Sequence, residues 1–119
     1  MKYLIILNRK YPYKYGEAFL ENEVDEISGA FDKIYIFPSD MTYNDPITRE
    51  IKSQNVEVNV FESTSLKMRN IKYSICGLFE TKENSARSLK EKLYCGYFNS
   101  AARIQAQKIW NILKYCDFK

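Results

Sequence analysis

The chain has 119 residues, 45% hydrophobic and 28% charged, with 18 Lys and Arg against 15 Asp and Glu. That balance fits an ordinary globular domain rather than a disordered tail or a disulfide-stapled miniprotein. There is no histidine, which excludes Ser-His-Asp and Cys-His catalysis, histidine-ligated zinc and a histidine pH switch, and four glycines leave no phosphate-binding G-x-G-x-x-G or G-x-x-x-x-G-K-[ST] motif.

From the N-terminus, Tyr3-Leu-Ile-Ile-Leu-Asn8 is a short continuous apolar run, the pattern of a strand buried on both faces of a parallel sheet. The loop Arg9 to Gly16 follows, broken by Pro12 and Gly16. From Glu17 to Ser28 the pattern turns helical, with Leu20, Val24 and Ile27 facing inward, acidic residues in the first turns and Gly29 as the stop. Lys33 to Phe37 reads as a second strand closed by Pro38, which completes a βαβ unit. Asn44-Asp45-Pro46 can open a short helix running to about Ser53. Asn55 to Phe61 alternates strictly and predicts a third, half-exposed strand near a sheet edge.

The remainder reads as helical. Between Ser65 and Phe79 a helical projection gathers Met68, Ile71, Ile75, Leu78 and Phe79 in one sector flanked by Lys67 and Lys72. Asn84 can cap a second helix with the stripe Ala86, Leu89, Leu93 and Tyr97, and Asn99 or Ser100 can cap a third with Ala102, Ala106, Ile109, Leu113 and Cys116. The predicted order is therefore β-α-β-(α)-β-α-α-α, an α/β fold built on a parallel sheet. Three strands followed by unanswered helices suggest the first part of a larger α/β domain, with a complete small domain as the alternative.

Charge divides unevenly: residues 1–60 carry net −3 and residues 61–119 net +6. Such an excess suits anionic lipid or nucleic acid, although it more often marks a solvated helical surface. The basic half has no RNP-like or zinc motif and its charges are spread over several helices, so no nucleic-acid partner is expected. Cys76, Cys95 and Cys116 are odd in number and widely spaced, as in reduced thiols. No secretory leader or membrane span is legible, and a cytoplasmic location is expected.

Ligands of open parallel sheets sit at the carboxyl ends of strands, beside helix N-termini. Here that place is residues 9–17, which hold Arg9, Lys10 and Lys14, the alternating Tyr11, Tyr13 and Tyr15, and Gly16 leading into the helix with Glu17 at its start. Cations near free N–H groups suit a phosphate or diphosphate, and tyrosine faces suit a sugar ring or an apolar chain; the plain alternative is a loop whose tyrosines cover the sheet end. Glu23 projects about 40° from Ile27, beside the inward stripe, where a carboxylate needs a partner or a polar cleft.

The segment Gly16-Glu17-Ala18-Phe19-Leu20-Glu21-Asn22-Glu23, followed by Phe31-Asp32-Lys33-Ile34-Tyr35-Ile36-Phe37-Pro38, resembles the start of bacterial family 4-like (group 1) glycosyltransferases, over residues 3–38. The resemblance implies a Rossmann-like, three-layer GT-B N-terminal domain that binds the acceptor, with the nucleotide-sugar donor and its E-x7-E carboxylates in a C-terminal domain outside this chain. It implies a sugar or lipid-linked acceptor, no metal (D-x-D is absent) and no cofactor held by this chain, and it places Gly16 and Glu17 on the cleft-facing loop with Glu23 behind them; Arg9, Tyr11 and Tyr13 join them as acceptor-binding candidates from the chemistry of the loop, with the catalytic residues unassigned. Lys67, Arg69 and Lys72 border a stripe that could lie on the inner face of a membrane, where such acceptors are found. Core packing explains the same stripe. A small non-catalytic binding or signalling module is the other reading, although the acidic pair and strand-end Asp of a phosphoacceptor pocket are missing.

Overall fold

The computed structural model describes residues 1–60, 66–80 and 88–115. Among the described residues it is a small α/β chain with a three-stranded parallel sheet and three helices, in the order β1 (Tyr3–Asn8), α1 (Phe19–Ser28), β2 (Lys33–Pro38), β3 (Val56–Val58), α2 (Leu66–Glu80) and α3 (Leu89–Leu113). The chain gathers into two compact units, the sheet with α1 within Met1–Ser63 and the α2–α3 pair within Thr64–Asp117.

In the first unit the strands lie in the order β1-β2-β3. β1 and β2 pair in parallel from Tyr3 opposite Lys33 to Asn8 opposite Pro38, and β3 continues the sheet with Val56 opposite Ile34 and Val58 opposite Ile36. Alternation along the strands sends Leu4, Ile6, Ile34, Ile36, Val56 and Val58 to one face, where they pack with Val24, Leu20 and Ile27 of α1. Val24, Ile34 and Ile36 have no exposed surface, and each contributes about 1.5–3 kcal/mol relative to an exposed position. The other face carries a row of aromatic rings, Tyr3 stacked on Tyr35 and Tyr35 on Phe37, each pair with centroids 6.4 Å apart.

The central strand is β2. Among the described residues β1 has a neighbour on one side only, and Ile5 and Leu7 on one of its faces are exposed at 41% and 67%, so its apolar run is not buried on both faces. β3 lies at the other edge, as its alternation predicts, but it is only three residues long. Asn59 extends the ladder by one N–H to the Ile36 carbonyl (2.8 Å), Val60 turns into a separate cluster with Tyr13 and Met41, and Phe61 lies outside the described residues.

The helix expected after Pro46 does not form. The Asp45 carboxylate instead accepts from the Thr42 backbone N–H (2.8 Å) and hydroxyl (2.9 Å), closing a turn, and the N–H groups of Thr48 and Arg49 go to the Pro12 carbonyl. In a helix begun at Pro46 the Arg49 N–H would return to the Asp45 carbonyl; here the Pro12 carbonyl of a neighbouring loop holds it.

In the second unit α2 and α3 run antiparallel. The expected break at Asn99 and Ser100 is absent, because α3 is continuous through both. Its start is Ser88, whose hydroxyl accepts from the Glu91 N–H while the Glu91 carboxylate accepts from the Ser88 N–H, a reciprocal capping box. The expected cap Asn84 and the stripe residues Ala86 and Cys116 lie outside the described residues. Ser100 is fully buried and donates to the Tyr73 carbonyl of α2 at 2.7 Å. Gly77 and Gly96 meet at the crossing: a Cβ on Gly96 would stand 2.7 Å from the Gly77 carbonyl group, and one on Gly77 would run into the Gly96 backbone.

This close approach selects which faces pair. Arg69 and Tyr73 are buried in line with Gly77, with the guanidinium 5.8 Å from the Tyr73 ring centre. Met68, Ile71 and Ile75, the expected inward stripe, are instead exposed; the side chains of Leu78 and Phe79 lie outside the described residues. Of the stripe expected along the C-terminal half of α3, Leu113 is buried, whereas Ala102 and Ala106 are exposed. Among the described residues no helix is long and apolar enough to cross a membrane.

The Gly77–Gly96 crossing makes a direct prediction. Gly96→Ala, which would improve helix propensity at an isolated site, lowers stability by about 1–3 kcal/mol through overpacking. Urea denaturation followed by helical circular dichroism checks it, and an unchanged midpoint shows that the backbones are not in contact.

Candidate functional site

The loop between β1 and α1 is organised by one carboxylate. Glu17 sits just ahead of α1 at a positive φ of 56°, a region few residues other than glycine adopt. This conformation takes Glu17 out of the helix, which begins at Phe19, and turns its side chain back beneath the loop. Its Oε1 accepts from the Arg9 N–H at 3.0 Å, and its Oε2 accepts from the N–H groups of Lys10 (2.8 Å) and Tyr11 (3.0 Å) and from the Asn8 side-chain amide (3.2 Å). The Asn8 amide also donates to the Tyr11 carbonyl at 2.8 Å. Three successive backbone donors thus converge at the carboxyl end of β1, the arrangement that binds anions in many proteins, and the anion is the chain's own.

Partial burial pushes the Glu17 carboxyl up, but the N–H groups of Arg9, Tyr11 and Lys10 and the Asn8 amide outweigh it and hold the group below its ordinary value. The carboxylate is therefore ionised at neutral pH, and its charge is spent on loop geometry.

The remaining sequence candidates separate. Tyr11 is 1% exposed and packs with Val24, Ile34 and Ile36; Tyr13 is 7% exposed and packs with Met41 and Val60 while bridging antiparallel to Ile47. Neither ring offers a face to a ligand, whereas Tyr15, at 93%, does. Burial pushes the Tyr11 hydroxyl's pKa up, Asp25 and Glu21 add to this, and Arg49 opposes it. Arg9 is exposed and donates from Nε and Nη2 to Asp40 at 2.9 and 2.7 Å, which fastens the loop to the segment after β2. Lys14, also at positive φ, pairs with Asp45 at 3.4 Å. Lys10 has no acidic partner among the described residues, and its side chain lies over Gly16, 3.3 Å from where a Cβ would be. Gly16 has no positive φ, so the loop's unusual conformations fall on Lys14 and Glu17 instead.

Glu23 is exposed on α1 and has no hydrogen-bond or ion-pair partner among the described residues. The paired carboxylates of α1 are Glu21, 2.6 Å from Arg49, and Asp25, which accepts from the Ser53 hydroxyl at 3.3 Å and lies 3.9 Å from Lys52. These contacts tie the segment after β2 to α1. Arg49 escaped sequence reasoning because its partners are about 28 residues away and no local motif marks it. Among the described residues no three His, Cys, Asp or Glu side chains come together as a metal site.

The surface left for a ligand is thus the outer rim of the loop: Lys10, Lys14, Tyr15 and the Arg9–Asp40 pair. No protein-family model, curated protein or solved structure matches the chain.

The depressed Glu17 pKa gives a signed expectation. Its stabilisation is complete above the ordinary carboxyl value of 4.5 and is lost as pH falls through the lower folded-state value. Glu17→Gln, which sets an amide N–H₂ against donors, costs about 1–3 kcal/mol at neutral pH and flattens this part of the acid response. Glu17→Gly relieves the backbone and still destabilises, because the donors lose their acceptor. Urea midpoints at neutral and acid pH check both; a Glu17→Gln variant as stable as the parent shows that the carboxylate does not hold the loop.

Proposed function

We propose that the chain is the acceptor-side, N-terminal part of a GT-B glycosyltransferase acting on a cell-surface polysaccharide or glycoconjugate in the cytoplasm, with the nucleotide-sugar donor held by a further, C-terminal domain. The observation that carries this reading is the sheet order β1-β2-β3, which among the described residues puts β1 at an edge. The same order occurs in one half of doubly wound sheets, where a fourth strand lies beside the first and ligands bind at the strand ends flanking that junction. The loop after β1, with Lys10, Lys14 and Tyr15 on its rim, stands at that place and belongs to the segment that resembles the family. Glu17 acts here as a positioning residue that presents the rim, and Arg9 acts through Asp40 in the same way.

One observation favours the alternative, a non-catalytic α/β binding or signalling module. The donors that would greet a ligand phosphate at the end of β1 are satisfied internally by Glu17. On the transferase reading the acceptor is therefore held by its sugar or apolar part on the rim.

Amide NMR of the chain distinguishes the two. Titration with a polyprenyl diphosphate-linked sugar shifts the signals of Lys10, Lys14, Tyr15 and their neighbours, and UDP- and GDP-sugars produce neither binding nor turnover. A titration that leaves the loop signals unmoved removes the acceptor role; turnover by the chain alone overturns the division of labour between domains.

A further inference from the structure

The outer face of α2 is apolar, exposed and bordered by cations. Met68, Ile71 and Ile75 are 61%, 49% and 51% exposed. On a helical projection they fall within a sector of about 60°, with Lys67 and Lys72 about 40° beyond its two limits. Both lysines are exposed. The opposite face, with Arg69, Tyr73 and Gly77, is the buried one. Arg69, grouped with the two lysines on sequence grounds, is thereby withdrawn from the surface.

The charges on α2 are placed against its own interest. Its first turn holds Lys67 and Arg69 and no acidic residue, and Glu80 at the far end is its one carboxylate. Cations at a helix N-terminus oppose the macrodipole, and acids would be favoured there.

We propose that the outer face of α2 docks on an anionic lipid bilayer, with Met68, Ile71 and Ile75 entering the headgroup–acyl boundary and Lys67 and Lys72 reaching sideways to lipid phosphates. The long lysine stems cover the margins of the apolar stripe while their ammonium groups stay at headgroup level. Charge complementarity selects this occupant. A second copy of α2 would bring lysines against lysines, and a nucleic-acid backbone would leave the central apolar stripe against phosphates. The surface lies in the second unit and is independent of the role proposed for the β1–α1 loop.

Co-sedimentation of the chain with vesicles tests it. The chain partitions onto phosphatidylcholine–phosphatidylglycerol vesicles but not onto phosphatidylcholine alone, and added salt weakens the binding. Lys67→Gln with Lys72→Gln lowers the partition coefficient by about tenfold or more, as does Ile71→Ser with Ile75→Ser, each with its thermal unfolding unchanged. Arg103→Gln with Lys108→Gln, an equal charge loss on α3, changes it by less than about twofold. The proposal is overturned if the chain ignores anionic vesicles, if the α3 pair matters as much as the α2 pair, or if the serine variant abolishes self-association and leaves vesicle binding intact.

Discussion

A carboxylate that accepts three successive backbone N–H groups and a side-chain amide holds the end of the first strand in place, and much of the first unit is arranged around it. Glu17 neutralises the donors left where β1 ends and before α1 begins. Without that acceptor, Arg9, Lys10 and Tyr11 would turn polar groups toward a partly buried space at a cost of about 1–3 kcal/mol each. With it, Tyr11 drops into the core, Pro12 presents its carbonyl to Thr48 and Arg49, and the segment after β2 is drawn across the loop. The turn at Asp45 and the Arg49–Glu21 and Asp25–Ser53 contacts then complete the attachment. The positive φ at Glu17 is the strain this arrangement tolerates; glycine would suit the backbone better but would bring no charge.

The second unit depends on absence of bulk. Gly77 and Gly96 let two helix backbones touch, and that contact decides which residues face inward. Ser100 is buried because the Tyr73 carbonyl is within reach of its hydroxyl, and Arg69 is buried beside the Tyr73 ring. More apolar side chains, Met68, Ile71 and Ile75, are left outside. Hydrophobicity ranks those three as core; steric access reverses the ranking.

The legible parts of the fold were those governed by local periodicity. The apolar runs of β1 and β2, the inward positions Leu20, Val24 and Ile27 of α1 and the edge character of β3 follow from alternation and helical spacing, and each is present. The misread parts were those in which a distant group claims a local donor. Asn44-Asp45-Pro46 has the chemistry of a helix start, yet the Pro12 carbonyl takes the Arg49 N–H that would make that helix's first internal bond. Asn99-Ser100 has the chemistry of a cap, yet the capping box at Ser88 starts the helix earlier and Tyr73 absorbs the Ser100 hydroxyl. In the site, the importance of Glu17 was visible from its place at the strand-to-helix junction. That Tyr11 and Tyr13 turn inward while Tyr15 turns outward was not, because alternation would put all three on one face and the positive φ of Lys14 breaks it between Tyr13 and Tyr15.

The amino-acid order by itself determined that the chain is α/β, that a βαβ unit opens it, that histidine- and glycine-loop chemistry is excluded, and that a charged, tyrosine-rich loop lies at the end of the first strand. These follow from composition and from interactions between residues a few positions apart. The tertiary structure decided the rest: that β1 lies at an edge, that Glu17 fills the anion site of its own loop, that Arg49 joins α1, and that the apolar stripe of α2 faces outward. The strand order, the Arg49–Glu21 contact and the Gly77–Gly96 crossing depend on pairings roughly 20–30 residues apart, and the Glu17 contacts on a loop conformation that spacing alone does not give; in each, competition for a backbone donor or for close approach outweighs local preference.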